Sequence, residues 1–493
     1  MNTKLLKQKI LDLAIRGKLT QQLKSDGTAR ELLEQIYSKV SSSSSTLSSP
    51  RRRGSPSSSA AKTIVPLDKS EAPFEIPANW EWVRLGDLMS KVGAGSTPTG
   101  GRNIYESSGV KFIRSQNVYN EGLYLEDVVY INESIHKQKQ NSKVVGNDLL
   151  LNITGASIGR CAIVPNDFDE ANVNQHVLIL RLLNFDLLKY IHLAITSQFV
   201  FHQIMGAQVG GTKEGLSAER AKELQIPLPP LAEQQRIVAK IEEAFAEIEA
   251  IEKNKELLKT HIKQTRQKIL DLAIHGKLVP QNKSDEPASV LLERITRDNP
   301  HYEKMTDVPF EIPDSWEWVK LGNICTISSA KRVLKEDWKE TGIPFYRARE
   351  IAQLANGEIV KDDLFITKEL YESLKDLYGV PQTGDILMSA VGTIGKTYIV
   401  NKDDCFYYKD ASVICLKKKH ADISSKYLKM LFSSNYLQKQ MFANSNGTTV
   451  DTITISVAQG YTIPFPPLAE QKRIVDKIEE IFKSLDEISL HLV

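Results

Sequence analysis

Apolar residues recur at alternating steps of four and three through the middle of the chain, at Ile237, Ile241, Ala244, Ile248, Ile251, Leu258, Ile262, Ile269 and Leu272. Lys255 and Thr265 take the two remaining positions of the stripe. A 3.5-residue period held this long predicts one long helix with a coiled-coil seam, not a simple surface helix. Pro229-Pro230 mark its start, and Glu233 in the first turn suits the positive end of the helix dipole. Gly276, between His275 and Lys277, marks its stop. At about 1.5 Å per residue, a helix over 231–276 is a rod of roughly 69 Å. The stripe returns near the C-terminus at Ile474, Ile478, Ile481, Leu485, Ile488 and Leu492, and near the N-terminus at Leu6, Ile10 and Leu13. These shorter helices are expected to pair antiparallel with the long one, which buries all three stripes.

Between the helices the pattern changes to short β-like runs broken by Gly and Pro: GVKFIRSQNV (109–118), DLLLNITG (148–155), HVLILRLL (176–183), GIPFYRAREI (342–351), DILMSAVG (385–392) and ASVICLKK (411–418). Helix-like stretches follow near 186–204 and 422–442. Residues 73–229 and 309–466 therefore read as two similar α+β domains with mixed sheets and helices. The expected layout is an N-terminal helical segment 1–36, a Ser/Arg-rich linker 37–72, the first domain, a central helix 230–278, a connector 279–308, the second domain and a C-terminal helix 467–493.

The chain states most of this twice. KQKILDLAIRGKL (7–19) returns as RQKILDLAIHGKL (266–278), PFEIPANWEWVRLGDL (73–88) as PFEIPDSWEWVKLGNI (309–324), and IPLPPLAEQQRIVAKIEE (226–243) as IPFPPLAEQKRIVDKIEE (463–480). The short ELLEQI (31–36) and LLERI (291–295) are also related. Two copies of one unit present two copies of one surface. The chain opens with the tail of the unit and closes with its head, so joining the ends would close a ring of two equal units. The terminal helices are then expected to lie end to end, mimicking the central helix. SSSSSTLSSPRRRGSPSSS (41–59) has no second copy and reads as low-complexity linker; Arg51, Arg52 and Arg53 within it suit a solvated loop better than a phosphate site.

Composition narrows the class. At 493 residues the chain exceeds a single core. It is 41% hydrophobic and 25% charged, ordinary for a soluble protein, and no apolar run approaches the roughly 20 residues that span a bilayer. The basic N-terminus keeps a helical period and lacks a signal peptide's apolar block, so a cytoplasmic location is expected. Cys161, Cys325, Cys405 and Cys415 have no metal-like spacing and read as reduced, buried cysteines. A net charge of +2 means that any nucleic-acid surface is local.

No complete catalytic set is present. AVGTIGKT (390–397) resembles a phosphate-binding loop, but its copy GASIGRCAIV (155–164) puts Arg160-Cys161 in place of Lys396-Thr397. The TYIVN that follows reads as strand, so a turn between strands fits better than a nucleotide site. PDSWEWVK (313–320) is loosely like a nuclease motif, yet its copy replaces Asp314 by Ala78 and Lys320 by Arg84; what both keep is a packing signature. H-E-x-x-H, Cys-x-x-Cys and G-x-S-x-G are absent.

Binding chemistry remains. FIRSQNV (112–118) offers Arg114, Gln116 and Asn117 where FYRAREI (345–351) offers Arg347, Arg349 and Glu350. Arg pairs bidentately with guanine, and Asn or Gln with adenine. The turns VGGTKEGLS (209–217), with Lys213, and NSNGTTVDT (444–452), with Asn446 and Thr448, also correspond and differ. Arg102, Lys331 and Arg332 complete the candidates for DNA contact. Similar scaffolds with different polar tips suit a reader of two words; each residue alone can equally be an ordinary exposed strand end.

The doubled I-P-x-x-W-x-W-x-x-L-G (76–86, 312–322) and P-P-L-A-E-Q-x-R-I-V-x-K-I (229–241, 466–478), in this interrupted ring, resemble the specificity subunit of type I restriction-modification enzymes. The resemblance covers nearly the whole chain outside residues 37–72 and the domain interiors. It implies two target-recognition domains, each reading half of a split, asymmetric site in double-stranded DNA, with the coiled coil setting the spacer. It implies two modification (methyltransferase) subunits carrying S-adenosylmethionine, and motor-nuclease restriction subunits using ATP and Mg. The chain itself would carry no chemistry, no cofactor and no membrane contact. The alternatives are a specificity subunit of a methylation-only or other defence system, a nucleotide-binding protein using 390–397, and a coiled-coil scaffold that does not touch DNA.

Overall fold

Leu231–Ile274 forms a single helix of 44 residues in the computed structural model, which describes residues 2–45, 67, 72–98, 104–206, 215–297, 305–361, 363–443 and 452–492. Its end follows from Gly276, whose φ of +65° turns the chain while Lys277 N–H donates to the Leu272 carbonyl at 2.9 Å. The described residues form two compact units, Met1–Lys253 and Asn254–Val493, and the helix contributes one half to each.

In the first unit the helix Thr3–Ile15 runs antiparallel to the long helix: Thr3 bonds Glu252, Lys7 pairs with Glu249, and farther along the chain Asp26 pairs with Arg236. Leu11, Ala14 and Ile15 are buried with Ile237, Val238 and Ile241. In the second unit Leu468–Leu490 runs antiparallel to the other half, with Arg266 against Asp486 and Arg473 against Asp285. Ile474 and Ile478 are buried with Ile269, and Ile481 and Leu485 are partly buried against them. Ile248 and Ile262 are buried too. Four residues expected in the stripes are not: Leu13 is 42% exposed, Ile251 49%, Leu258 39% and Ile488 44%. Thr3, the first residue of the N-terminal helix, already sits at Glu252, so that helix covers Ile251 incompletely.

Each unit carries sheets of the same plan. In the first, Glu81–Arg84 pairs with Gln225–Leu228, and a four-stranded sheet runs in the order Met89–Ala94, Val177–Leu182, Leu149–Asn152, Cys161–Ile163. A second sheet orders Val129–Ile131, Val110–Ile113, Ala171–Val173 and Lys143–Val144. The second unit pairs Glu317–Lys320 with Thr462–Phe465 and orders Cys325–Ser329, Val413–Lys418, Ile386–Ser389, Thr397–Ile399. Its other sheet has three strands, Phe365–Ile366, Ile343–Tyr346 and Tyr407–Tyr408. Strand alternation divides the cores. Leu149, Leu151, Leu178 and Leu180 face the helices, whereas Leu150, Val177 and Ile179 face a separate cluster with Ile113, Val118 and Val173.

The repeated motifs are the joints between sheet and helix. Trp80 Nε1 donates to Glu233 Oε2 at 2.9 Å, and Gln22 donates to Glu233 Oε1 at 2.8 Å. Trp316 and Gln281 treat Glu470 in the same way, the indole at 2.9 Å. A Cβ on Gly17 or Gly276 would lie 2.4 Å from Pro77 or Pro313, so both tail helices end at a glycine that lets the domain approach. The Trp-x-Trp pairs thus pack rather than react: Phe74, Trp82 and Phe199 cluster in one unit, and Phe310, Trp318 and Tyr436 in the other.

Other expectations are revised. Ala29–Ser45 is helical beyond residue 36, anchored where the Tyr37 hydroxyl donates to the Asp87 carbonyl. Residues 46–66 and 68–71 of the expected linker, with Arg51–Arg53, lie outside the described residues. The helix-like stretches each break in two, into Leu188–Ile195 and Gln198–Gly206, and into Ser425–Ser433 and Asn435–Ala443. At both breaks a buried serine, Ser197 or Ser434, donates back to a carbonyl and accepts the N–H of Val200 or Leu437. The run 342–351 is strand only to Tyr346; Ala348–Ala355 is a helix, capped by Glu350 accepting from the Arg347 N–H at 2.8 Å.

Candidate nucleic-acid interface

The two matched segments, 112–118 and 345–351, build one constellation twice. Strand Val110–Ile113 ends at Arg114, whose N–H donates to Asn117 Oδ1 at 3.0 Å. Asn117 Nδ2 donates to the Tyr124 carbonyl and to Asp127 Oδ1, each at 3.0 Å. Arg114 Nη2 donates to the Asp127 carbonyl at 3.0 Å, and Gln116 donates to the Asp127 carboxylate. In the other unit Glu350 stands where Asn117 does, and Asp363 where Asp127 does. Arg347 Nη2 donates to Glu350 Oε1 at 2.9 Å and to Asp363 Oδ1 at 2.7 Å. Arg349 donates to the same two acids at 2.7 Å each.

This geometry separates frame from tip. Asn117 is fully buried, its polar atoms committed to the turn, so its expected role as a base contact is corrected to that of a brace. Glu350 is equally buried. Burial pushes its carboxyl up, but the bonds from Arg347 and Arg349 outweigh that and hold it below the ordinary carboxylate range. Arg349 chiefly holds Asp363 low as well. Arg114 and Arg347 are half-buried braces, while Gln116 and the 59% exposed Arg349 stand at the surface at the same position. Both side chains are held by acids, Gln116 by Asp127 and Arg349 by Glu350 and Asp363.

Lys331 and Arg332 are exposed in the same unit as Arg349: Lys331 lies over the Tyr378 ring at 5.2 Å, and Arg332 pairs with Asp410 at 2.8 Å. Asp410 lies two residues past Tyr408, the strand partner of Tyr346, which places Arg332 at the same sheet end as Arg347. Arg102, Lys213, Asn446 and Thr448 lie outside the described residues.

The loop at 390–397 is a hairpin turn. Lys396 leads into strand Thr397–Ile399, its N–H bonded to Ser389 Oγ at 3.0 Å, and no helix follows to receive a phosphate. The nucleotide-binding reading is therefore discarded. Its copy turns between Leu149–Asn152 and Cys161–Ile163, and Arg160 lies over the Tyr119 ring at 4.5 Å. Sequence reasoning set both loops aside, although a cation after Ile-Gly in each copy was the available signal. No helix among the described residues is long and apolar enough to cross a membrane.

Comparison with known proteins places these features in context. The family model for the type I restriction modification DNA specificity domain matches residues 77–259 and again 313–491. The chain is similar to the type I restriction enzyme EcoAI specificity subunit of Escherichia coli, 23% identical over 571 aligned positions that cover 98% of this chain and 90% of that protein. Its fold is similar to that of a chain solved in work on complex assembly and conformational transition of the type I R-M system (TM-score 0.55, 20% identity, 85% of this chain and 94% of that one). It is also similar to the HsdS subunit of Thermoanaerobacter tengcongensis (TM-score 0.53, 18% identity, 86% and 94%).

Proposed function

The chain belongs to the family of type I restriction-modification DNA specificity subunits, and on that premise we propose that each unit reads one half of a bipartite, asymmetric site in double-stranded DNA. Residues 73–229 and 309–466 are the two target-recognition domains, and the long helix, as a coiled coil with the terminal helices, fixes the unread spacer. The single observation that carries this reading is the matched constellation whose braces correspond while its exposed tip differs, Gln116 in one unit and Arg349 in the other. Phosphate contacts supply affinity, and these tips discriminate bases.

The partners follow from the family. Two modification subunits bring S-adenosylmethionine and flip an adenine for N6-methylation. Motor-nuclease subunits bring ATP and Mg. The apolar side chains left exposed on the helix pairs, Leu5, Leu13 and Ile251 in one unit and Leu257, Leu258, Ile488 and Leu490 in the other, are docking positions for such subunits. The chain works in the cytoplasm and performs no chemistry itself.

Single-molecule sequencing of N6-methyladenine, in cells expressing the chain with its modification subunits, tests the reading. A two-part methylated motif is expected. Arg349→Gln should relax or change one base in one half and leave the other half untouched, because a bidentate contact carries about 1–3 kcal/mol of discrimination. A motif that changes in both halves, or in neither, rejects the assignment.

A further inference from the structure

Each unit holds a cleft between its Gly-containing hairpin turn and the tail helix of the repeat, and the two clefts share corresponding residues at the turn and on that helix. In the first unit it is about 470 Å³, and Lys4, Gln8, Asn120, Gly159, Arg160 and Phe201 line it. In the second it is about 610 Å³, lined among others by Gln267, Asn356, Gly395, Lys396, Lys429 and Gln438. Gln8 matches Gln267, Gly159 matches Gly395, and Arg160 matches Lys396 in the repeat. In a chain with 61 acidic residues, each cleft is lined by two cations and no carboxylate. Among the described residues neither Arg160 nor Lys396 is ion-paired, whereas Arg332, Arg347 and Arg349 are tied to acids.

We propose that these clefts are the backbone-phosphate sites of the chain, one per unit, with Arg160 and Lys396 each holding a phosphodiester of the DNA strand whose bases the neighbouring tip reads. The inference rests on the DNA-reading function above and adds to it the division between positioning and reading residues. Three observations converge. The first is local charge: unpaired cations with amide neighbours accept an anion. The second is location: Arg160 stacks on Tyr119 and Asn120 Oδ1 accepts the Cys161 N–H at 3.0 Å, so the turn is joined to the strand that follows Gln116. Asn356 caps the helix that bears Arg349. The third is the kind of difference between copies. A base-reading position must change shape from one word to the next, as Gln116 and Arg349 do. At its matched cation the turn changes only from Arg160 to Lys396, which alters a bidentate fork but keeps the charge that a phosphate needs.

The test uses the full-length chain assembled with its modification subunits, bound to duplex DNA over a range of salt. Arg160→Gln and Lys396→Gln should each weaken binding about fivefold near 0.15 M salt and reduce the slope of log K against log salt by about 0.9. The loss should be equal for cognate and unrelated duplex, and the methylated motif should not change. Arg160→Lys should keep the slope, and unchanged melting temperatures show that the variants fold. An unaltered slope overturns the proposal. A loss confined to cognate duplex would make these residues base readers instead. Unaltered DNA binding with failed assembly would assign the clefts to an acidic segment of a partner. Wild-type complex that binds no duplex at all would overturn the DNA-reading function itself.

Discussion

At the scale of single residues, the repeated helix start P-P-L-A-E-Q-x-R is legible atom by atom. The proline carbonyls of Pro229 and Pro466 accept from Gln234 and Gln471 at 2.8 and 2.9 Å. The glutamate takes the indole of the Trp motif, and the arginine takes an aspartate from the loop after the tail helix. Burial raises the Glu470 carboxyl above its ordinary 4.5, and the Trp316 and Gln281 bonds oppose that rise. Trp316→Phe removes one opposing donor and should cost about 1–3 kcal/mol at neutral pH. Because a raised acid pKa favours the protonated fold, that cost should shrink as pH falls toward 4.5; urea unfolding at several pH values measures both. Asp26 has the opposite sign. The bond from Arg236 holds it below its ordinary 3.8, so its contribution is complete above that value and is lost as pH falls through the depressed one. Asp26→Asn should lower stability at pH 7 and flatten the acid limb below pH 4, as followed by circular dichroism.

At the scale of elements, the two hairpin turns each carry a backbone constraint. Gly159 and Gly395 have φ of +83° and +77°, and a Cβ there would lie 2.7 Å from Phe201 or 2.9 Å from the Met441 sulfur. Gly159→Ala should cost about 1–3 kcal/mol through strain and the clash with Phe201, and thermal melting would show it. Gly155→Ala meets nothing within 4 Å and should cost less, from its φ of +69° alone. Sequence pattern made the helices visible because the 3.5 period is local: Ile237 to Ile269 point one way whatever surrounds them. The strand cores were visible for the same reason, since Leu149 to Leu151 and Val177 to Leu180 are short continuous apolar runs. The breaks at Ser197 and Ser434 and the helix at Ala348–Ala355 were hidden, because each depends on one side chain finding a backbone group. The brace role of Asn117 was hidden too: a residue type that reads adenine also caps a turn, and only the partners Tyr124 and Asp127 decide which.

At the scale of the whole molecule, the division of cores separates the helix contacts of a unit from the support of its polar turn. In the first unit, one face of the sheet through Leu149, Leu151, Leu178 and Leu180 packs with the helices, and the Trp80–Glu233 bond closes that joint. The opposite face, through Leu150, Val177 and Ile179, packs with Ile113 and Val118 and so supports the strand that ends at Arg114. Changes on that second face leave the helix contacts intact, because alternate residues of one strand serve different cores. A chimera exchanged between residues 77 and 228 with another family member keeps the outer joint: Gly17, Gln22, Glu233 and Arg236 all lie outside the exchanged segment, and Trp80 is supplied again by the donor's own motif. Such a chimera should assemble with the same modification subunits, methylate a motif altered in one half only, and keep the spacer length. A changed spacer would mean that the helices, not only the domain, respond to what is grafted on them; a change in both halves would mean that the two cores of a unit are not independent.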